Sequence, residues 1–203
     1  MILMRDGVRL ATDIYRPTRN GEPTAGEFPT ILGRTSYDKN SDQMWIEPVA
    51  NFFTPRGYVV VLQDLRGRHH SEGMGQYFQT ANPLEGEDGY DTIEWIAAQS
   101  WCNGKVGLMG SSHRAIVQTQ AALRRPPHLV AICPEQGPTN IYLHEAREGG
   151  AMSLQMFGAA HLHALDSHEV GDDLEKARII LDAMRDMGEW LQKFPLKPGE
   201  TAL

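Results

Sequence analysis

The sequence predicts an α/β protein: a mostly parallel sheet with helices on both faces. Three observations carry this expectation. From Pro29 to Pro134, short apolar runs alternate with helical runs in the order strand, helix, strand, helix, strand, helix, strand. Such alternation implies crossover helices that cover a parallel sheet. Tyr58 to Gln63 (YVVVLQ) is continuous and β-branched, as in a strand buried on both faces. Lys105 to Ala115 (KVGLMGSSHRA) runs from an apolar β stretch through Gly-Ser-Ser-His directly into a helical stretch that ends near Leu123.

Taken in order, Arg5 to Pro17 opens with an Asp6-Gly7 turn. Val8, Leu10, Thr12 and Ile14 then alternate with Arg9, Ala11, Asp13 and Tyr15, which predicts a half-buried antiparallel strand. Thr18 to Phe28 is rich in Gly, Pro and polar residues and reads as an exposed loop. Pro29 to Gly33 is a short apolar strand, and Met44 to Thr54 has helical spacing closed by Pro55 and Gly57. A long polar loop, Asp64 to Gly73, follows the Tyr58–Gln63 strand. Glu85 to Gln99 is predicted as an amphipathic helix with Tyr90, Ile93, Ile96 and Ala97 on one face. Its acidic first turn, Glu85, Glu87 and Asp88, suits the positive end of the helix dipole. Leu129 to Cys133 reads as another buried strand. After Pro134 no further strand is expected; Asp172 to Phe194 carries a helical stripe of Leu174, Ala177, Leu181, Met184, Trp190 and Leu191. Pro195-Leu196-Lys197-Pro198-Gly199 ends it. The expected organisation is residues 1–138 as the sheet-bearing part and residues 139–203 as a helical part.

Bulk composition narrows the function classes. The chain has 203 residues, with 26 acidic against 19 basic residues and a formal net charge of −7. No basic patch marks a nucleic-acid footprint, and no apolar run reaches the length of a membrane-spanning helix. Cys102 and Cys133 are too few for a disulfide framework and lack partners at metal-ligand spacing. The expectation is therefore a cytoplasmic protein with no cofactor and no metal, and no nucleic-acid or membrane partner.

The chemistry points to Ser112. A serine hydroxyl is a weak nucleophile that must stand clear of its neighbours to meet both a base and a carbonyl carbon. A strained turn between strand and helix presents it that way and needs small residues around it, such as Gly110. The helix that follows aims its N-terminus at the site, so the backbone N–H of His113 can face a developing oxyanion. Gly-Ser-Ser is also a common helix-cap tripeptide, and Arg114 stands where a small residue is usual. The segments at Tyr37, Asp64 and Ser112 all follow strands directly, so a parallel sheet would bring them to one edge.

These motifs together resemble the CocE/NonD group of α/β-hydrolases, the cocaine esterase and Xaa-Pro dipeptidyl-peptidase-like serine hydrolases. Met4 to Ala11, with Asp13, Tyr15, Arg16 and Pro17, is similar to the family's opening strand. Tyr37-Asp38-Lys39 resembles its Pro-Tyr-Asp/Asn-Lys segment, with Ser36 in place of the proline. Asp64, Arg66-Gly67, Ser71 and Gly73 match its Asp-x-Arg-Gly-x-x-x-Ser-x-Gly loop. Asp91, Ile93, Trp95-Ile96, Gln99 and Trp101 to Gly107 resemble the run that leads to its nucleophile. The resemblance implies an α/β-hydrolase fold that is incomplete at its C-terminus and carries the start of a helical cap. It implies Ser112 as nucleophile, with the Tyr37 hydroxyl and the His113 N–H as oxyanion donors. His113-Arg114 and Ala115 depart from the family's Tyr-Gly/Leu-like pair and following glycine. Arg114 near the site could alter which acyl groups fit.

The resemblance also implies a triad Asp and His on later strands, and no such segments follow Ser112. The expected chain is thus an N-terminal piece of a longer enzyme acting on small esters, amides or short peptides. A catalytically inactive hydrolase-like protein with a binding role is the second expectation, and a metal-dependent hydrolase using the histidines is the third. An unpaired edge strand in a half sheet would favour association, so a homo-oligomer stays open. His161, His163, Asp166 and His168 follow no strand and read as surface or cap-packing residues. His69-His70 read as polar loop residues, and Asp64 and Arg66 as braces of their loop by an ion pair or turn hydrogen bonds.

Overall fold

The computed structural model describes residues 1–41, 46, 48–75, 84–138, 140–185, 188, 189 and 192. It forms two compact units, Met1–Thr139 and Asn140–Leu203.

The first unit is built on a five-stranded sheet. The alternating run near the N-terminus is two strands rather than one. β1 (Ile2–Leu3) pairs antiparallel with β2 (Arg9–Leu10), and the chain then switches sheets at Ala11 to enter β3 (Thr12–Tyr15). The predicted single stripe is therefore broken: Leu10 is fully buried, but Ile14 is 40 % exposed on the sheet edge. The stretch read as a loop contains a small hairpin, β4 (Thr18–Arg19) with β5 (Glu22–Pro23). Its turn residues Asn20 and Gly21 have φ of +56° and +84°, the left-handed pair that a two-residue hairpin turn requires.

β6 (Phe28–Thr35), a short α1 (Asn51–Phe53), β7 (Val59–Asp64), α2 (Leu84–Ala97), β8 (Cys102–Ser111), α3 (His113–Leu123) and β9 (Leu129–Glu135) complete the unit. The strand order is β3-β7-β6-β8-β9, antiparallel between β3 and β7 and parallel elsewhere. This is the predicted α/β architecture. β7 is buried along its whole length, as its composition requires. Alternate side chains serve two cores. Val59 and Val61 of β7 join Leu32, Ile93, Ile96, Val106, Leu108 and Ala121 on the α2/α3 face. Val60 and Leu62 join Val49 and Ala50, with Tyr15, Ile31, Phe53 and Met109 packed on, on the other face. Of the helix expected over Met44–Thr54, Met44, Trp45 and Glu47 lie outside the described residues.

Two expectations need correction. Leu129–Cys133 is not buried: β9 is the edge strand, with Val130 and Ile132 exposed. Among the described residues no strand lies beyond it, so an apolar composition that suits an interior strand ends at the rim. The buried stripe of α2 is also rotated from the predicted one. It consists of Glu85, Gly86, Asp88, Gly89, Thr92, Ile93 and Ile96, while Tyr90 and Ala97 are half-buried. Glycines decide this rotation, because they let α2 and α3 touch backbone to backbone. A Cβ on Gly89 would stand 2.6 Å from the Cβ of Ala121, and one on Gly86 2.8 Å from the carbonyl oxygen of Gln120.

On a helix surface Gly→Ala is worth about 1 kcal/mol of added stability. Gly89→Ala is expected to do the opposite and cost about 1–3 kcal/mol by overpacking. Thermal denaturation of the variant checks the sign.

The second unit contains a π-helical turn (Tyr142–Ala146), α4 (Leu154–Leu165) and α5 (Leu174–Arg185). Ser153 caps α4 by accepting from the Met156 N–H. The expected helical stripe is helical through Arg185; Trp190, Leu191 and the Pro195–Gly199 terminator lie outside the described residues. No helix among the described residues is long and apolar enough to cross a membrane.

Candidate active site

Parallel β6, β7 and β8 end at one edge of the sheet, and each hands its chain to a polar segment there. Ser36-Tyr37 follows β6, Leu65 to Ser71 follows β7, and Ser112 follows β8. Ser112 is exposed at the junction of β8 and α3, with φ +60° and ψ −129°. A non-glycine residue in such a conformation costs about 1–3 kcal/mol, which the surrounding structure must supply. It does so on both sides: the Ser112 N–H donates to the Glu135 carbonyl, and the Ser112 carbonyl accepts from the Ala115 and Ile116 N–H groups. Gly110 has φ +145°, so glycine is needed there for its backbone conformation. Ala115 is buried, and its methyl leaves no room for a side chain at Gly137, where a Cβ would lie 2.5 Å away.

The Tyr37 hydroxyl lies 3.2 Å from Ser112 Oγ, so these two residues, far apart in sequence, share a hydrogen bond. Tyr37 is held from behind by its own N–H, which donates to Thr35 Oγ1 at 2.9 Å. His113 is the first residue of α3, so its N–H projects off the helix N-terminus. Its imidazole does not turn toward Ser112: it is fully buried, with Nδ1 2.9 Å from Ser36 Oγ and Nε2 3.5 Å from Glu85 Oε1. Arg114 donates from Nε and Nη2 to the carbonyl and Oγ of Ser111, and its guanidinium carbon is 5.7 Å from the centre of the Tyr37 ring. Burial pushes the Arg114 pKa below the usual arginine value. A positive charge thus flanks the Tyr37–Ser112 pair.

The loop after β7 is braced as expected, but by different pairs. Asp64, which is buried, accepts the Lys39 N–H at 2.7 Å and the His70 N–H at 3.3 Å. Desolvation raises its pKa. One carboxylate therefore ties the Tyr37 loop to the loop after β7. Arg66 does not pair with Asp64. It reaches back to Asp88 with Nε and Nη2 at 3.0 and 2.7 Å, and to Asp6 with Nη1 and Nη2 at 2.7 and 3.1 Å. Asp88, whose place in the first turn of α2 also suits the helix dipole, is the buried anion of this brace. Ser71 completes the brace, donating from Oγ to the Asp64 carbonyl and accepting from the Ala11 N–H.

Arg66 holds the Asp6 pKa below the ordinary aspartate value of 3.8. A carboxyl depressed by folding stabilises the fold above its unfolded pKa, and that contribution is lost as pH falls through the folded value. Melting temperatures of wild type and Asp6→Asn should therefore differ at neutral pH and converge below about pH 4. Asp64 has the opposite sign: its raised pKa makes folding less favourable as pH rises from 3.8 toward the folded value.

Of the histidines expected to pack locally after Ser112, His161 does so. His161 is buried in the second unit, where its Nδ1 lies 2.8 Å from the Phe157 carbonyl and its ring meets the Phe157 ring edge-on. The closest approach to a metal-type cluster among the described residues is Asp38, Asp64 and His70, whose ligand atoms lie within 4.8 Å of one another. Its buried member is the Asp64 carboxylate that already accepts two N–H groups.

A family model for X-Pro dipeptidyl-peptidase (S15 family) matches residues 6–200. The chain belongs to that family. Its S15 assignment agrees with curated relatives. Cocaine esterase of Rhodococcus sp. (strain MB1 Bresler) is 38 % identical over 159 residues, 76 % of this chain and 26 % of that protein. A putative serine esterase of Mycobacterium bovis is 28 % identical, covering 73 % and 26 %. The S15 chain therefore spans about a quarter of the length of these relatives. Among solved structures, a CocE/NonD family hydrolase of Staphylococcus aureus superposes with a TM-score of 0.69 at 28 % identity, over 96 % of this chain and 35 % of that one. An α-amino acid ester hydrolase gives 0.58 at 31 % identity over 72 % and 26 %. The CocE/NonD resemblance drawn from the motifs is thus shown, and so is the α/β-hydrolase fold.

Proposed function

We propose that these residues are the nucleophile-bearing part of an acyl hydrolase. Ser112 Oγ attacks an ester or amide carbonyl carbon while its proton passes to a general base. The carbonyl oxygen becomes an oxyanion that accepts from the Tyr37 hydroxyl and the His113 N–H. Collapse expels the alcohol or amine, which takes the proton back, and water then hydrolyses the acyl-enzyme by the same route. The observation that carries this reading is the Tyr37–Ser112 contact of 3.2 Å at a serine held with positive φ. Among the described residues no imidazole is hydrogen-bonded to Ser112 Oγ. The base and its orienting carboxylate are accordingly proposed to come from polypeptide outside these 203 residues.

The family match extends to residue 200, which supports reading residues 139–203 as the start of a helical cap. The relatives' names favour small esters as substrates, and the family's description favours short X-Pro peptides. Cys102 and Cys133 are both free thiols, in keeping with a reducing cytoplasm. The exposed β9 edge is suited to pairing with further polypeptide, a second copy included.

A panel of p-nitrophenyl esters and Xaa-Pro p-nitroanilides tests the activity, using this chain and any longer product of its reading frame. Hydrolysis that disappears in Ser112→Ala is the expected result. Equal non-zero rates in both proteins would remove Ser112 from the chemistry, and no hydrolysis by the longer product would favour the second reading, a catalytically inactive hydrolase-like protein that binds ligands.

A further inference from the structure

The His113 side chain is more deeply buried than a residue beside an exposed nucleophile needs to be, and it sits among polar groups. Three elements meet at it: the end of β6 at Ser36, the first turn of α2 at Glu85, and the start of α3. Nδ1 lies 2.9 Å from Ser36 Oγ, and Nε2 faces Glu85 Oε1 at 3.5 Å. In the tautomer with Nε2–H toward the carboxylate, Nδ1 is the acceptor and the Ser36 hydroxyl donates to it. Ser36 is itself buried, and its carbonyl lies 3.1 Å from His69 Nε2. The residue before Tyr37 is thus held by its side chain from α3 and by its carbonyl from the loop after β7.

This arrangement links the two groups that face the oxyanion. The His113 N–H is one of them. The other, the Tyr37 hydroxyl, hangs from a backbone that the His113 imidazole clamps through Ser36. We propose that His113 and Ser36 are positioning residues: the buried imidazole holds Ser36, and through it sets the Tyr37 hydroxyl at its place beside Ser112. The proposal rests on the reading of Ser112 and Tyr37 given above, and it adds a physical reason for a buried histidine at this position. A side chain that fixes the β6 end to the α3 start makes the distance between the two oxyanion donors a property of the core. A displacement of about 1 Å at such a donor can cost on the order of 10²-fold in rate.

The test reads the Tyr37 environment directly and separately reads its consequence. With 3-fluorotyrosine incorporated at the six tyrosines, the Tyr37 resonance is assigned by its loss in Tyr37→Phe. Ser36→Ala should shift that resonance, and Ser36→Thr, which keeps a hydroxyl, should return it toward the wild-type position. Because Ser36→Ala removes one oxygen, it is expected to fold; circular dichroism confirms this, and His113→Gln serves as a second, independent perturbation. An unmoved Tyr37 resonance in folded Ser36→Ala overturns the proposal, whether or not Ser112 reacts.

The second readout is a double-mutant cycle on the rate of fluorophosphonate labelling of the longest product of the reading frame, which supplies the proposed general base. Ser36→Ala should slow labelling about tenfold when Tyr37 is present, within the usual coupling range for residues in one network. It should have no further effect in Tyr37→Phe. The same factor in both backgrounds would mean that Ser36 acts on general stability and not through the Tyr37 hydroxyl, which also overturns the proposal. Wild-type protein that labels nowhere would sink the nucleophile reading alone, since the resonance shift still decides the positioning claim.

Discussion

Tyr37→Phe is expected to lower the rate of acyl transfer at Ser112 by about 10²–10³-fold, the loss of about 2.7–4 kcal/mol typical of one oxyanion donor. The substitution removes only the hydroxyl that lies 3.2 Å from Ser112 Oγ. It keeps the ring beside the Arg114 guanidinium and the backbone anchor at Thr35. The hydroxyl donates to an oxygen whose negative charge exists only in the transition state. The loss should therefore appear in kcat, with KM nearly unchanged. A rise in KM at constant kcat would assign Tyr37 to substrate binding.

Asp88→Ala should be the most damaging single change to stability. Asp88 is almost fully buried and takes a two-pronged contact from Arg66, whose guanidinium is also buried. Arg34, fully buried, has its Nη2 4.0 Å from the same carboxylate. Removing Asp88 leaves these cations without their shared anion, and breaking a buried pair from one side costs about 3–5 kcal/mol. The midpoint of urea denaturation measures this. An exposed pair would lose at most about 1 kcal/mol, so a loss that small would contradict the buried network. Arg66→Met with Asp88→Leu should recover only part of the loss, because the fully buried Arg34 guanidinium still loses the carboxylate it shared. The same network anchors the loop after β7, so Asp88→Ala should also loosen the segment that Asp64 ties to Tyr37.

The sheet was legible because its interior strands are written in residues that tolerate only one environment. Val59 to Leu62 are apolar at every position, and the structure buries them on both faces. β9 shows the limit of that argument. Leu129 to Cys133 has similar composition, yet position in the sheet decides burial, and strand order is a long-range property that a local run does not encode. The Asn20-Gly21 hairpin was legible in principle, since that dipeptide is a strong turn signal; its flanking strands are too short and polar to announce themselves. The rotation of α2 was not legible. Its buried face is chosen by Gly86 and Gly89 against α3, and glycine carries no weight in a hydrophobic stripe.

The site divides in the same way. Ser112 could be named from its strand–turn–helix setting, whereas Tyr37 could be named only through the family resemblance of Tyr37-Asp38-Lys39; both follow strands directly, and parallel strands end together. The structure places them within hydrogen-bond distance of each other. The supporting shell was missed. Glu85 and Asp88 looked like charges suited to a helix N-terminus, and Ser36 looked like a departure from a family pattern. All three are buried and face His113 or Arg66. The available signal was their spacing: positions 85, 88 and 92 fall on the same helical face as Ile96, so polar residues there must be buried with partners.

The central claim is that Ser112 is the reacting group, and mapping a fluorophosphonate adduct tests it most directly. The longest product of the reading frame, which on this account supplies the general base, is labelled, digested and searched by mass spectrometry for the modified peptide. The account predicts a single phosphonylated residue, Ser112, and no adduct in folded Ser112→Ala. An adduct on another residue that persists undiminished in Ser112→Ala would contradict it.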